Sequence, residues 1–232
     1  MEPTSIPRDD IERAVGVIAG RLRRTPTLSC EDLGPRHFLK AELLQRTGSF
    51  KPRGMLTKLA SLTDEEKARG IVTWSAGNAA QGAAFAAAEN GVECKVFMWA
   101  TANPLKVAAT RALGAEVDLG ATGPADAHER LLEYMEQSGR TFVHPFDDPV
   151  LQAGHGTLGL EIVEDVPDVA TIVVPVGGGG LIAGVASAVD CTVVGVEPEG
   201  APTLSAALSG GSPVRIEPSS IADGLNAPFT GS

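Results

Sequence analysis

The sequence predicts an α/β protein built around parallel sheets, and three observations carry that expectation. From about residue 70, short β-branched runs alternate with helical stretches of roughly ten to fifteen residues, the pattern of βαβ units. The strand runs are continuously apolar, as expected where helices cover both faces of a sheet. Glycine is abundant, at 27 residues, while aromatics make up only 4%, which suits close packing of helices on a sheet.

The elements follow in order. "PRDDIERAVGVIAGRL" has apolar residues at helical spacing and an acidic first turn, so the chain opens on a helix. "GIVTWS" is a strand, "AAQGAAFAAAENG" a helix and "ECKVFMWA" a strand. "PLKVAATRALG" is a helix stopped by glycine, "AEVDLG" a strand, "ADAHERLLEYMEQSG" a helix and "TFVHP" a strand. Farther on, "ATIVVPV", "LIAGVASAV" and "CTVVGVEP" read as strand, helix and strand. The Pro/Asp-rich stretch 144–150, "HPFDDPV", is the best crossing point between two lobes.

Bulk properties exclude several classes. At 232 residues, with 43% hydrophobic and 21% charged, the chain can bury a core. A net charge of -10 argues against nucleic acid, which needs a clustered basic face. The basic run from Arg21 to Arg24 reads as a solvated helix end. Cys30, Cys94 and Cys191 are far apart and odd in number, so they read as reduced thiols and not as a disulfide frame or zinc site. The polar, acidic N-terminal stretch is not a signal peptide, and no apolar run reaches membrane-spanning length. The expectation is a cytoplasmic protein with no membrane partner.

Three loops could share one ligand, since ligands of open α/β sheets sit outside the carboxyl ends of the strands. The glycines Gly177 to Gly180 lie between a strand and a helix, where close backbone approach and free N–H groups suit a phosphate. The alternative is a tight turn that binds nothing, but four consecutive glycines are entropically expensive for that purpose, which favours the phosphate. In "SAGNAAQG", Ser75 or Asn78 could cap the following helix, the commoner role, or the loop could hold a carboxylate. The third loop is "TGSFKPRG", where Lys51 sits in a glycine turn stiffened by Pro52. It is either a solvated loop lysine or a desolvated amine able to attack a carbonyl.

Taken in order, "ELLQRTGSFKPRG", "SAGNAAQG", "HPFDDP", "AGHGTLGLEI", "VGGGGL" and "GVEP" resemble the threonine/serine dehydratases. These are fold type II pyridoxal-phosphate enzymes related to the serine racemases, and the similarity runs from about residue 5 to the end. The resemblance implies a tryptophan synthase β-like fold of two open parallel-sheet lobes in three αβα layers. Residues 70–147 would form the small lobe, and 1–69 with 148–232 the large lobe, left incomplete. The implied cofactor is pyridoxal 5'-phosphate and the implied reaction is dehydration of L-threonine or L-serine to a 2-oxoacid and ammonia. By the resemblance, Lys51 is the Schiff-base lysine, Phe50 packs on the cofactor ring and Asn78 bonds its phenolic oxygen. Gly177, Gly178, Gly179 and Gly180 hold the phosphate, while Ser75, Ala76, Gly77 and Asn78 bind the substrate carboxylate. The partners implied are a small hydroxy-amino acid and further copies of the chain.

The chain departs from the family pattern at several positions. Ala76 stands where racemases carry a serine base, and alanine cannot transfer a proton, so dehydration is favoured over racemisation. Ala79 replaces a common histidine, and His155 a common glutamine. Glu197 is present near the place where some relatives bind a divalent cation, but Thr203 replaces the second carboxylate, so no metal is expected. Relatives continue well beyond Ser232, through the Ser, Thr or Cys that faces the pyridine nitrogen. The expectation is therefore exposed apolar surface and an unpaired sheet edge. Two alternatives to the active lyase are a cofactor-binding but impaired homologue and a non-catalytic assembly partner.

Overall fold

The computed structural model describes residues 6–231; the first five residues of the polar N-terminal stretch lie outside it. Helix α1 (Arg8–Ile18) starts with Asp9 and Asp10 in its first turn, where acidic groups suit the helix dipole. Arg24, just beyond it, pairs with Glu164 and Asp165, so the basic run is tied down and not simply solvated. A small antiparallel hairpin of β1 (Thr27–Ser29) and β2 (Phe38–Lys40) follows.

Helix α2 (Lys51–Ala60) corrects the reading of Lys51 as a turn residue: Lys51 opens the helix and Pro52 lies in its first turn. Proline fits there because the first-turn N–H groups have no intrahelical acceptor and its fixed φ is already helical. Helix α3 (Asp64–Arg69) starts on a reciprocal capping box between Thr63 and Glu66 and leads into the main sheet.

That sheet has four parallel strands in the order β5–β4–β3–β6. They are β3 (Ile71–Trp74), β4 (Cys94–Trp99), β5 (Glu116–Ala121) and β6 (Thr141–Phe142). The crossovers are α4 (Asn78–Asn90), α5 (Pro104–Ala112) and α6 (Pro124–Ser138). Side chains alternate between two cores: Ile71, Val96 and Met98 pack with the alanines of α4, and Val72 and Phe97 pack with Ala127 and Leu131 of α6. Helices on both faces give the three-layer arrangement.

Helix α7 (Pro149–Asp165), begun by the Asp148 side chain accepting from the Val150 and Leu151 N–H groups, contains the "AGHGTLGLEI" motif. Its glycines are crossing points. A Cβ on Gly154 would lie 2.5 Å from Thr57 Oγ1, and one on Gly54 of α2 would lie 2.5 Å from the Leu151 carbonyl. On the other side a Cβ on Gly184 would collide with the Gln152 carbonyl. Gly184 belongs to α8 (Gly180–Ala188), so α7 is sandwiched between α2 and α8 at backbone contact. Arg53, wholly buried, fixes the first crossing with hydrogen bonds to both Glu42 and Glu161.

The second sheet is the parallel pair β7 (Thr171–Pro175) and β8 (Thr192–Val196), which is followed by α9 (Thr203–Gly210). Here full coverage by helices does not hold. Ile172 and Val174 pack on Val185 of α8, but Val173, Val194 and Val196 on these strands are exposed. Among the described residues this pair bonds to no other strand, so the expected apolar face and free edge are both present.

Candidate active site

The carboxyl ends of β3 and β7 and the start of α2 open on one cavity of about 430 Å³, ample for a small molecule. Phe50, Lys51, Ser75, Ala76, Gly77, Asn78 and Gly177 to Gly180 all line it, so the residues the resemblance assigns to cofactor and substrate come to one place.

Lys51 Nζ donates to the Pro145 carbonyl at 2.8 Å and lies 5.0 Å from the Phe50 ring centroid. Desolvation brings its pKa down from the ordinary 10.5 to about 8, since a poorly hydrated ammonium is costly. An appreciable share of the amine is therefore neutral near pH 7 to 8. Gly82 of α4 lets this happen: a Cβ there would lie 2.9 Å from Lys51 Cβ. The edge of the His155 ring meets Phe50 at 4.8 Å and 78°, and backs it from inside the core. Burial, with Lys51 and Arg53 adding to it, holds His155 neutral.

The Asn78 loop does not cap its helix, contrary to the commoner role expected of it. Gly77 is the N-cap of α4 and no side chain caps it; Ser75 Oγ instead accepts from the Gly77 N–H at 3.2 Å. The N–H groups of Asn78, Ala79 and Ala80 donate to no group among the described residues, nor does the Asn78 amide. The glycine loop is similar: no N–H from Gly177 to Gly180 is bonded among the described residues, and α8 has no side-chain cap. Two helix N-termini with free donors therefore border one cavity, each suited to an anion.

Three of the four glycines have individual steric or conformational reasons. A Cβ on Gly178 would run into the Phe146 ring, and one on Gly180 into the Phe146 carbonyl. Gly179 takes φ +88°, a conformation that favours glycine. Phe146 is held by the turn that carries it: His144 Nδ1 accepts from the Phe146 and Asp147 N–H groups, and burial lowers that imidazole to a pKa of about 4.

This donor set suits pyridoxal phosphate: a neutral-leaning amine for an aldehyde, free N–H groups at a glycine loop for a phosphate, an aromatic side chain for a flat ring and an unbonded amide for a ring hydroxyl. Residues 18–232 match the family model described as "Pyridoxal-phosphate dependent enzyme". The chain belongs to that family. It is 44% identical over 230 residues to an L-threonine ammonia-lyase of Geobacter sulfurreducens, covering 95% of this chain and 57% of that protein. It is also 44% identical over 212 residues to the catabolic L-threonine dehydratase of Escherichia coli K12, covering 88% of this chain and 64% of that protein. Among solved structures, maize serine racemase superposes with a TM-score of 0.93 at 32% identity, covering 98% of this chain and 72% of that one. The processed form of threonine deaminase isoform 2 from Solanum lycopersicum gives 0.89 at 34% identity, covering 100% and 72%. The family fold is thus that of the fold type II pyridoxal-phosphate enzymes. The chain spans 57% to 64% of the length of these curated relatives.

Sequence reasoning passed over Trp74, Trp99, Lys106 and Asp223, which line the same cavity. Lys106 alone left a signal, being a cation in the first turn of α5, where the helix dipole disfavours it. Glu197, weighed as a metal ligand, accepts from the Leu204 and Ser205 N–H groups and the Thr203 and Ser205 hydroxyls. Burial alone would raise its pKa, but these donors outweigh burial and lower it. Its carboxylate serves the start of α9. No helix among the described residues is long and apolar enough to cross a membrane.

Proposed function

We propose that the chain carries the catalytic site of an ammonia-lyase that converts L-threonine or L-serine to a 2-oxoacid and ammonia with pyridoxal 5'-phosphate. The observation that carries this reading is Lys51, an amine brought to a pKa of about 8 and set in one cavity with two uncapped helix N-termini. The likeness to threonine ammonia-lyases and dehydratases supports the substrate class.

When bound, the cofactor supplies an aldehyde that takes up amines and a ring that accepts the electron pair left as a Cα–H bond breaks. Gly177 to Gly180 would hold its phosphate through the free N–H groups of the loop and α8. Phe50 would pack against the ring and the Asn78 amide would donate to its hydroxyl. At the start of α4, Ser75, Ala76, Gly77 and Asn78 would fix the substrate carboxylate. Lys51 would tether the cofactor, then act as a general base that takes the α-proton, a role its lowered pKa suits near neutrality. Ala76 offers no group to return a proton on the opposite face, which favours elimination of the β-hydroxyl over racemisation.

Three further parts belong to this reading. Residues 70–147 form the small lobe, with 1–69 and 148–232 in the large one, supported by the separation of the two sheets. A homo-oligomer is supported by the apolar face of β7 and β8, and light scattering tests it. A cytoplasmic setting is supported by the unpaired Cys30, Cys94 and Cys191.

The test is to add pyridoxal phosphate, record the visible spectrum, reduce with borohydride and map the labelled peptide. Label on Lys51, with oxoacid released from threonine or serine and both lost in Lys51→Ala, is the expected result. A folded protein that takes up no label on Lys51 overturns the reading.

A further inference from the structure

Lys106 stands where helix electrostatics disfavours a cation. It lies in the first turn of α5, and its Nζ is 3.7 Å from the point where a Cβ on Gly77 would sit. The ammonium therefore abuts the start of α4 as well, and two helix ends of positive partial charge face it. Its charge is balanced by Asp223, on the short helical turn Asp223–Leu225 that forms another wall of the cavity. The two members of the pair are unequal. The Lys106 side chain is 23% exposed and that of Asp223 is 73% exposed. The Asp223 carboxylate accepts no other hydrogen bond among the described residues. The Trp74 indole N–H is buried without a partner, and Trp74 lines the same cavity.

We propose that Lys106 is a specificity-determining residue that binds the substrate carboxylate at the start of α4, and that Asp223 is its resting counter-ion, displaced when that carboxylate arrives. This deepens, and rests on, the reading of the α4 turn as the carboxylate site. The free N–H groups of Asn78, Ala79 and Ala80 and the Lys106 ammonium all lie at the start of α4, on the same cavity. Exchange of Asp223 for a substrate carboxylate leaves the ammonium paired throughout, so no buried charge is ever left alone. The carboxylate that leaves is the solvated one. Its release also unties the 222–226 stretch from α5, so substrate binding and the loosening of that wall are one event. The site selects for amino acids whose carboxylate is free over those in which it is an amide.

The exchange makes a prediction of opposite signs. Trp74 and Trp99 line the cavity and report binding by fluorescence, with propionate as a carboxylate probe and L-threoninamide as a carboxylate-free control. Lys106→Gln is expected to weaken propionate binding by roughly tenfold or more, the worth of a charge-assisted hydrogen bond. Binding of L-threoninamide should not change. Asp223→Asn, an isosteric change at an exposed site, is expected to tighten propionate binding by removing the competitor. Both variants moving propionate affinity in the same direction, as a purely structural bridge would, overturns the proposal; so does unchanged binding in Lys106→Gln. The titration is run on the full chain with and without pyridoxal phosphate. The cofactor-free arm tests Lys106 independently of whether Lys51 takes up the cofactor.

Discussion

The turn Ser75–Asn78 and the turn Gly177–Gly180 each leave the carboxyl end of a parallel strand, each open a helix that no side chain caps, and both reach the same cavity. Their surroundings differ. The glycine turn is pinned on every side: Gly178 and Gly180 touch Phe146, Gly177 faces Leu225, and the Gly178 carbonyl accepts from the Gly231 N–H. A methyl group added at Gly77 would have only the end of one flexible lysine near it, at 3.7 Å. Two turns with the same free helix N–H groups have thus been given unequal room. The stiff turn suits a group that is the same in every turnover, and the looser one suits a substrate that comes and goes.

The sharpest way to break this comparison is Gly178→Val. Its Cβ would be forced into the Phe146 ring, so loss of cofactor uptake is expected, with a stability drop of about 1–3 kcal/mol for overpacking. Gly77→Ala should leave cofactor uptake intact and shift amino-acid affinity only a few-fold. Equal effects of the two substitutions on uptake and melting temperature would remove the distinction.

Arg53→Met tests the rigid side from beneath. It would remove the buried guanidinium that Glu42 and Glu161 share, leaving Glu161 with Lys40 alone, at a cost of about 3 kcal/mol read from denaturant unfolding. A smaller effect comes from pH. The rate at which Lys51 takes up pyridoxal phosphate should rise to a plateau with a midpoint near pH 8, in contrast to the 10.5 of a solvated lysine. A midpoint near 10 would place the amine in water.

The mildest effect is on acid stability. Burial lowers the pKa of His144 from 6.5 to about 4 and keeps His155 well below 6.5. Between those values the unfolded chain binds protons that the native state refuses, so stability falls as pH drops from 6.5 toward 4. Urea midpoints across that range should show the slope, and His155→Gln should flatten it.

The strands and helices from Ile71 to Phe142, and those from Thr171 to Val196, were legible because β-branched runs and helical stretches alternate with glycine stops. Helices α2 and α7 were not. Pro52 disguised the start of one, and Gly154, Gly156 and Gly159 lowered the helical signal of the other. Those glycines answer to close helix crossings, which are tertiary facts. The site was legible where a loop carries its own chemistry, as at Lys51, Asn78 and Gly177 to Gly180. Asp223 left no signal and Lys106 only that of a cation in a first turn, since their meaning arises only when residues 117 apart in sequence meet.

The backbone contacts of α7 with α2 and α8 have one more consequence. The Lys51 amine and the glycine turn Gly177–Gly180 are mounted on the two outer members of a stack with no room for a methyl group at Gly54, Gly154 or Gly184. Their spacing is therefore inherited as a fixed gauge that point mutation cannot adjust by small steps. Novelty has to enter elsewhere in the cavity lining, at Trp74, Ala79 and Lys106. A selection for new substrates should collect its changes there and leave the stack silent.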